Sequence, residues 1–500
     1  MLKMVDGTGI IGVDMVCPLG GTVSPPQPPN FDKVEVEGVG SLMLPNSLKA
    51  PLERVELIGN STQGENPTPD NPQEIKSAGR KSKNLFNKNT AKQGYEFPSA
   101  GSDVEALKEG WFVSDFMPVK ATTYYISGKA TGNGCKLYNK DKVFVKNVQA
   151  SFGNIKFDEG IAYFRINGEI KDLDKIQVEE RIVATDYEPY GYLLDVKVTG
   201  KNLLSNKPTD WQIGKRISWS GYPEGAITIY PVAKNAVNVI SLKPSTTYSI
   251  INNSGGIVIN RIVERGSSEN GIKDHDVRSS KYTFVTNQNT MNAILQFEKV
   301  DGTELLSTDI EFIKIMLVEG EVNEPTPYEP YTEQTLTLTS DRPITKWDKL
   351  VEQGGQYGWL YQSEVKAYRG ETAVSPYKSG FYFLLNNKKI TKGEGYCSEL
   401  KQDVPYEKNP CINFNMESNT YAYTLNTQEI YGSSVSEIKE YLKIHPLHLV
   451  YKTETTEFVP LPQSEQTQLR NLHSYNGTTH ITVDSGEIPC GIKLTYRKEK

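Results

Sequence analysis

The chain has 500 residues, with 55 Lys and Arg against 61 Asp and Glu, and a formal net charge of −6. The two signs are mixed along the sequence, so no basic stripe is present to neutralise the phosphates of a nucleic acid. The apolar runs are far shorter than a membrane-spanning helix, and Asp6 and Asp14 interrupt the only stretch that resembles a secretory signal. Nucleic-acid binding, membrane insertion and signal-dependent secretion are therefore not expected.

The composition predicts about three domains that are rich in strands. A hydrophobic fraction of 37% is ordinary for globular domains, and the 28 Tyr, together with abundant Val, Ile and Thr, favour strands over helices. The five cysteines stand singly and are odd in number, which predicts reduced thiols and neither a zinc site nor a disulfide framework. They are Cys17, Cys135, Cys397, Cys411 and Cys490.

Residues 1–30 are predicted to form an N-terminal docking arm. The segment is Gly-rich near its start, and residues 25–29 read Pro-Pro-Gln-Pro-Pro. Prolines at this density form a stiff, extended spacer and cannot enter the interior of a sheet or helix. We expect the arm to pack on a neighbouring subunit; the alternative is a disordered end.

Residues 31–82 are predicted to be a β-rich connecting segment. Apolar and polar residues alternate in Val34–Glu37 and again in Leu52–Ile58, which is the two-residue period of half-buried strands. Three prolines in Asn66–Pro72 then predict a surface loop.

Two longer segments begin and end with the same short sequence motifs. Each begins with an opener, Lys83–Phe86 or Lys201–Leu204, and each ends with a closer that reads Tyr-Glu-Pro-Tyr, at Tyr187–Tyr190 or Tyr328–Tyr331. The openers are 202 − 84 = 118 residues apart, which suits a complete small domain and is too long for a solenoid unit. The sequence therefore predicts a duplicated module.

A third marker supports the duplication, because Thr-Thr-Tyr follows a lysine within Lys120–Ile126 and again within Lys243–Ile250. Short strand-like runs with turn signals fill both segments, and helical periodicity is nearly absent. This pattern indicates β-sandwiches, and the eight-stranded jelly roll fits modules of this length best. We assign jelly-roll module 1 to residues 83–196 and jelly-roll module 2 to residues 197–334.

Residues 335–500 are predicted to form a C-terminal β-rich domain with one short helix near 434–444. Ser434 and Glu437 make a capping box, the apolar side chains that follow share one face, and Pro446 ends the helix. The predicted fold class is therefore mainly β: tandem jelly rolls between an N-terminal arm and a β-rich C-terminal domain.

Particular motifs of the sequence also resemble those of a known family. Asn60–Pro72, leading through Ile75–Gly79 to the first opener, resembles minor structural tail and baseplate proteins of phages and prophages of Gram-positive bacteria. Ile438–Tyr451, with Pro460–Pro462 and the strand at Thr478, is similar to the C-terminal part of those proteins. The resemblance implies a virion component whose jelly rolls are like carbohydrate-binding modules.

Catalytic and metal-binding motifs are weak in this sequence. His445 and His448 are close, but Pro446 lies between them and no cysteine stands at ligand spacing, so neither a metal nor any other cofactor is expected. A G-x-S-x-G nucleophile motif is absent, and 61 acidic residues are too many to choose a glycosidase pair from one sequence. Glu188 and Glu329 of the closers are expected to bond a local backbone amide.

Exposed aromatic residues are better candidates for binding, because sugars stack flat C–H faces on Tyr and Trp rings. Each candidate could instead be a core aromatic, which is the commoner role of such residues. The candidate carbohydrate-binding residues are Trp111, Trp211, Trp219 and Tyr222.

The expected function is that of a non-enzymatic component of a phage tail, baseplate or tail tip, located in the virion and released by lysis. It is expected to assemble with itself, as a trimer or hexamer, and with other tail proteins, and to bind host cell-wall polysaccharide. The alternatives are a cell-wall or capsule polysaccharide hydrolase and a bacterial surface adhesin.

Overall fold

A computed structural model describes most of the chain after residue 30. The protein is mainly β, with 53% of residues in strands and 8% in helix, which confirms the predicted class. The described ranges are 5–6, 9–10, 31–129, 134–148, 153–219, 227–266, 270–277, 279–324, 326–370, 374–377, 380–384, 390–402, 411–413, 421–425 and 434–500.

The described residues among the first 82 form eight strands. Two of them form a small antiparallel hairpin within the predicted arm, most of which lies outside the described residues, so its docking role stays a prediction. The strands are β1 (Val5–Asp6), β2 (Gly9–Ile10), β3 (Phe31–Val39), β4 (Ser41–Ser47), β5 (Glu53–Ile58), β6 (Ser61–Gln63), β7 (Ile75–Ser77) and β8 (Arg80–Lys81).

Module 1 follows β8 and begins with a 3-10 turn at Lys88–Thr90. A second 3-10 turn, Ile170–Asp172, precedes its last strand. Its strands are β9 (Lys92–Glu96), β10 (Ala106–Val113), β11 (Met117–Pro118), β12 (Thr123–Ser127), β13 (Cys135–Tyr138), β14 (Phe144–Val148), β15 (Gly153–Lys156), β16 (Tyr163–Arg165), β17 (Asn167–Glu169) and β18 (Gln177–Glu179).

A single strand, β19 (Tyr192–Thr199), separates the two modules. Module 2 then begins with a 3-10 turn at Pro208–Asp210, and the short helix α1 (Ser307–Ile310) precedes its last strand. Its strands are β20 (Trp211–Trp219), β21 (Ile227–Ser241), β22 (Thr247–Asn252), β23 (Ile257–Arg265), β24 (Gly271–Asp276), β25 (Lys281–Val285), β26 (Asn292–Lys299) and β27 (Ile315–Glu319).

The remaining chain contains twelve described strands and two helices, α2 (Val435–Ile444) and α3 (Gln463–Asn471). The strands are β28 (Glu333–Ser340), β29 (Lys349–Gln353), β30 (Gln356–Tyr368), β31 (Val374–Tyr377), β32 (Gly380–Leu384), β33 (Ile390–Cys397), β34 (Lys401–Gln402), β35 (Cys411–Asn413), β36 (Tyr421–Leu425), β37 (Leu447–Pro460), β38 (Gly477–Asp484) and β39 (Gly491–Glu499).

Helix α2 has the predicted capping box, with Ser434 Oγ accepting from the Glu437 N–H. Helix α3 is an addition to the sequence analysis, which named one helix in this region. It packs beside β28, where the buried carboxylate of Glu465 accepts hydrogen bonds from the N–H and hydroxyl of Thr339. No helix in the described ranges is long and apolar enough to cross a membrane.

A twelve-stranded sheet, here the central sheet, unites strands from both ends of the chain. Its order is β28-β19-β38-β4-β39-β5-β29-β30-β37-β33, with β3 also paired to β39 and β8 to β19. Its main core draws buried side chains from most of these strands, among them Leu44, Leu194, Leu338, Trp359 and Leu494.

The central sheet corrects the predicted domain boundaries. A connecting segment at 31–82 and a C-terminal domain at 335–500 were separate units in the sequence analysis, yet β39 pairs with the whole of β3 and with β5. The predicted boundary between residues 196 and 197 also falls inside β19. Half-buried strands need a partner for one face, and an alternating pattern does not say how distant in sequence that partner is.

Both modules are insertions into the central sheet. Module 1 lies between β8 and β19, and module 2 lies between β19 and β28. Because Lys81 pairs with Tyr192 at the start of β19, and Glu333 pairs with Thr199 at its end, the modules join opposite ends of this strand. At about 3.3 Å per residue, the eight residues of β19 separate the two attachment points by roughly 25 Å.

The two modules have the same strand order. In module 2 a five-stranded sheet, β20-β21-β26-β23-β24, faces a three-stranded sheet, β25-β22-β27. Module 1 has the equivalent three-stranded sheet, β15-β12-β18. Its other layer has five strand positions, in the order β9, β10 with β11, β17 with β16, β13 and β14, and two of these positions consist of two short strands each. Each module is a sandwich with five strand positions in one sheet and three in the other, as the duplicated motifs predict.

The asparagine of each opener binds its module's last strand. In module 1 the Asn84 amide donates to the carbonyls of Ile176 (3.1 Å) and Glu188 (3.0 Å). Its oxygen accepts from the N–H groups of Phe86 (2.9 Å) and Val178 (3.0 Å). Both polar ends of this buried side chain are thus satisfied by backbone groups.

Asn202 makes the same four bonds in module 2. It donates to the carbonyls of Ile315 (3.4 Å) and Glu329 (3.1 Å). Its oxygen accepts from the N–H groups of Leu204 (3.0 Å) and Leu317 (3.2 Å). The openers and closers therefore recur because together they close each sandwich.

The glutamates of the closers face the lysines of the openers. Lys83 lies 3.9 Å from Glu188, and Lys201 lies 3.1 Å from Glu329. The Glu188 carboxylate also accepts from the Lys83 backbone N–H (3.3 Å), which is distant in sequence from it, and pairs with Arg80 of β8 (3.1 Å). These carboxylates hold the module boundary together.

The tyrosine of the third marker is buried in both modules. The Tyr124 hydroxyl accepts from the Lys120 backbone N–H (3.1 Å), and the Tyr248 hydroxyl accepts from the Lys243 backbone N–H (3.0 Å). Each side chain is 2% exposed. The marker therefore records a core tyrosine and the turn that satisfies its hydroxyl.

Candidate functional site

The outer surface of the larger sheet of module 1 carries aromatic and cationic side chains. Cys135 and Leu137 of β13 point into the core, so Lys136 and Tyr138 point outward. Across the ladder, Lys136 pairs with Arg165 and Tyr138 with Tyr163. We call this surface the aromatic–cationic face; its residues are Phe116, Lys136, Tyr138, Lys142, Phe144, Tyr163 and Arg165.

The rings of this face contact one another edge to face. The Phe116 ring centroid lies 4.8 Å from that of Tyr138 and 6.1 Å from that of Tyr163, at interplanar angles of 70° and 85°. Tyr138 lies 6.0 Å from Phe144. Tyr138 is fully buried, and its burial raises the pKa of the hydroxyl to about 12, so the phenol stays neutral.

Two cations lie on the Phe116 ring and differ in exposure. The Arg165 guanidinium is 4.8 Å from the Phe116 centroid and is held by the Ser114 carbonyl (2.8 Å) and by Glu105 (2.8 Å). Lys142 is exposed, with its ammonium 4.7 Å from the Phe116 centroid and 5.4 Å from that of Tyr163. Arg165 therefore belongs to a fixed frame, whereas Lys142 has the freedom of a surface side chain.

Lys136 secures one border of the face. Its side chain is buried, and its ammonium donates to the carbonyls of Ser99 (2.6 Å) and Ala100 (3.2 Å) in the connection between β9 and β10. Burial lowers the pKa of this lysine. The connection is thus held across the sheet, and the half-buried rings of Phe116 and Tyr163 remain beside it.

The acidic group beside the face is poorly suited to general-acid catalysis. Burial alone would raise the pKa of Glu105, but hydrogen bonds from Lys92 and Arg165 hold it below its ordinary value. Glycoside hydrolysis needs a carboxylic acid whose pKa is raised, opposite a second carboxylate. Glu105 therefore lacks the raised pKa that the acid of a glycosidase needs.

Of the four candidate sugar-binding residues, Trp111 is the one that the structure places on an outer face. It is half-buried on β10 opposite Glu169, and the Lys108 ammonium lies 3.6 Å from its ring centroid. Trp211 corrects the sequence analysis, because it is a core residue: it is 6% exposed, 4.3 Å from the Phe297 ring centroid, and its indole N–H donates to the Ser205 carbonyl.

The side chains of the other two candidates are not among those that the structure describes. Trp219 is the last residue of β20, and its side chain is not among those described. Tyr222 lies outside the described residues. The structure does not bring Trp111 and Trp211 together, since they belong to different modules.

The sequence analysis missed the residues of the aromatic–cationic face. The signal was present as alternation, in Lys136 and Tyr138 around Leu137 and in Tyr163 and Arg165 around Phe164. Only the pairing of β13 with β16 puts these residues side by side. Alternation predicts which residues share a face, but not which strands are neighbours.

Module 2 contains a buried polar chain that resembles a catalytic triad. His275 lies 2.6 Å from Glu264 and 3.1 Å from the Tyr282 hydroxyl. Burial, with Asp276 and Asp274 nearby, raises the pKa of Tyr282, so its hydroxyl stays protonated. Glu264 also accepts from Thr290 and from the Asn287 N–H (2.6 Å). The chain satisfies buried groups within the sandwich, and we assign it a structural role.

The two histidines considered for metal binding have other partners. His445 stacks on Tyr441, with centroids 4.4 Å apart, and His448 pairs with Glu399 at 2.6 Å. In the part of the chain that the structure describes, no cluster of three or more His, Cys, Asp or Glu is arranged to hold a metal ion.

Comparison with known proteins adds little. No family model matches the chain, and no curated protein matches it. Among solved structures, two cryo-EM structures of the arabinofuranosyltransferase AftD from Mycobacteria, one of them a mutant, align with 93% of this chain at 8% and 7% identity, with TM-scores of 0.11 and 0.12. The chain spans about a third of the length of these proteins, as 36% of each is covered. A likeness this low carries no argument.

Proposed function

We propose that the protein is a non-enzymatic structural component of a phage tail, baseplate or tail tip, and that it binds host cell-wall glycan through the aromatic–cationic face of module 1. The binding part rests on one observation: half-buried Phe116 and Tyr163 rings lie on a sheet surface framed by Arg165 and the exposed Lys142. The tail part rests on the resemblance of residues 60–87 and 438–479 to minor tail proteins.

The geometry suits a flat, partly apolar ligand bordered by hydroxyl groups. A pyranose ring stacks its C–H face on an aromatic ring, while the fixed Arg165 guanidinium bonds its oxygens. One shallow site of this kind is expected to bind with millimolar to micromolar affinity, about 4 to 8 kcal/mol. Copies arrayed on one particle raise the effective affinity by roughly a hundredfold.

The glycan part is tested by titrating the purified full chain against wall polysaccharides prepared from Gram-positive bacteria. Tyr163→Ala is expected to reduce binding at least about tenfold, since it removes one stacking ring. Tyr125→Ala is the matched control, because Tyr125 is also half-buried on an outer face of module 1 but belongs to the three-stranded sheet. Equal effects of the two variants would contradict the proposal.

The same preparations distinguish the alternatives. Release of reducing ends from the polysaccharide by the isolated chain would favour the hydrolase. For the tail assignment, antibodies against the chain should label purified particles, and the genes beside its own should include a tape-measure, tail-tip or holin gene. Deletion of residues 1–30 should leave a folded chain that no longer joins the particle; incorporation at the wild-type level would contradict the docking role of the arm.

A further inference from the structure

The two modules differ at the residue that follows their first 3-10 turn. Ala91 in module 1 and Trp211 in module 2 are equivalent, because each donates its backbone N–H to the carbonyl of the first residue of the turn, Lys88 or Pro208. The Trp211 indole fills that corner of module 2 and packs on Phe297. Module 1 has only a methyl group at this position.

A cavity lies beside this turn in module 1, with Asn87 and Thr90 of the turn in its lining, and we call it the corner cavity. Its volume is about 180 Å³, many times the roughly 10–15 Å³ that one water needs on the same measure. It lies where module 1 meets the central sheet, because β8 and the closer contribute to its wall. Its lining residues are Lys81, Leu85, Phe86, Asn87, Thr90, Ser114, Asp115, Phe116, Met117, Pro118 and Tyr190.

The lining combines an apolar wall with a polar border. Leu85, Phe86 and Met117 supply the wall, and amide, hydroxyl and charged groups supply the border. The border carries one cation, Lys81, and one anion, Asp115, so it does not favour a ligand of either charge. This composition and size suit one neutral pyranose, which has an apolar face and a rim of hydroxyl groups.

The corner cavity is continuous with the aromatic–cationic face through Phe116, which belongs to both. We propose that the corner cavity binds the terminal pyranose of a glycan whose following residues lie along the face, so that module 1 recognises chain ends. This proposal rests on the proposed glycan function and names the part of the glycan that is recognised.

The test uses the full chain with two variants of the cavity. Ala91→Trp introduces the residue of module 2 next to Thr90 of the lining and is expected to narrow the cavity. Tyr190→Ala removes a ring from its mouth; Tyr190 is 37% exposed, so this variant is expected to fold. The matched control is Tyr187→Ala, which changes the other tyrosine of the same closer, 45% exposed and outside the lining.

Binding is measured with glucose, galactose, mannose and N-acetylglucosamine, and with short and long chains of one wall polysaccharide. At least one monosaccharide is expected to bind at millimolar concentration and to compete with the polysaccharide. Affinity per mole of chains should be the same for short and long linear polymers, since both offer the same number of ends. Tyr190→Ala and Ala91→Trp should weaken binding about tenfold or more, and Tyr187→Ala should not.

Failures of the two proposals differ. If wall polysaccharide binds and responds to Tyr163→Ala, but no monosaccharide binds and the cavity variants behave as wild type, the cavity proposal is overturned and the face proposal stands. If neither polysaccharide nor any monosaccharide binds, both are overturned. Monosaccharide binding without polysaccharide binding would support the cavity and overturn the face.

Discussion

Module 1 and module 2 share a frame and differ on their surfaces. The outer face of the larger sheet in module 2 is closed by the module's own aliphatic side chains: Ile217, Val237, Val263 and Ile294 are buried there as a cluster. The corresponding face of module 1 leaves aromatic rings half-buried beside the exposed Lys142 and the hydrogen-bonded Arg165. Under the proposed function, module 1 is the binding module and module 2 is a spacer.

The three-stranded sheets of the two modules also share a contact and differ in the side chains that make it. Gln177 and Met316 are equivalent, since each accepts the N–H of its closer glutamate, at 2.7 Å through an amide oxygen and at 3.1 Å through a sulfur. In module 2 the following loop packs Val322 on an apolar cluster, whereas in module 1 the loop leaves Ile182 68% exposed. The backbone contact is retained while the chemistry of the contacting atom changes.

The largest expected effect comes from removing the indole that fills module 2. Trp211→Ala should destabilise module 2 by about 4 kcal/mol, because it leaves a large cavity in a close-packed core. Trp111→Ala, the half-buried tryptophan of module 1, is the control and should cost much less. Hydrogen exchange of module 2 peptides with chemical denaturation measures both. Equal costs would mean that the two tryptophans are not as differently packed as their environments indicate.

The shared frame predicts equal effects in the two modules. Asn84→Ala and Asn202→Ala should each cost about 3 kcal/mol, because each leaves two backbone carbonyls and two backbone N–H groups without a partner. Exchange should rise in the module that carries the change and not in the other. Asn154→Ala, at an exposed position of module 1, is the control. An effect confined to one of the two modules would show that the openers are not equivalent.

Acid should loosen the junction between module 2 and the central sheet through Glu333, the first residue of β28. Burial would raise its pKa, but contacts with Lys207, Tyr331 and Lys197 lower it from 4.5 to about 2. A lowered pKa stabilises the folded state fully above about pH 4.5, and this contribution is lost as the pH falls toward about 2. Glu333→Gln should therefore cost about 2 kcal/mol at pH 7.

The same substitution should reduce the loss of stability between pH 4.5 and 2, measured by denaturant unfolding at several pH values. Glu321→Gln, an exposed glutamate that follows β27 of module 2, is the control and should leave the profile unchanged. If Glu333→Gln retained the wild-type acid profile, the contacts of Glu333 with Lys207, Tyr331 and Lys197 would not be the source of the acid-sensitive stability.

The smallest expected effect concerns Lys142. Lys142→Ala should leave the melting temperature unchanged, because the side chain is exposed. It should strengthen binding of a neutral polysaccharide up to about threefold, since the ammonium covers the Phe116 and Tyr163 rings in the free protein. Lys140→Ala in the same turn is the control. Weaker binding would mean that Lys142 contacts the ligand.

The sequence by itself was sufficient for what depends on neighbours along the chain. The openers and closers predicted two copies of one module, because the residues that cap strand ends and satisfy buried backbone groups are restricted to a few types. The capping box predicted helix α2 for the same reason. Helix α3 was not predicted, because Pro462 and a polar first turn gave no comparable signal. The burial of its Glu465 is understood only from the edge strand β28, whose Thr339 donates to that carboxylate.

Tertiary structure alone decided everything that depends on distant partners. The central sheet joins β3 to β39 across almost the whole chain, and one alternating strand does not specify which other strand it will pair with. The burial of Trp211, the half-burial of Trp111 and the grouping of Tyr138 with Tyr163 likewise follow from neighbours in space. A tryptophan looks the same in the sequence whether it fills a core or lies on a face, because burial is a property of the packed layers and not of the residue.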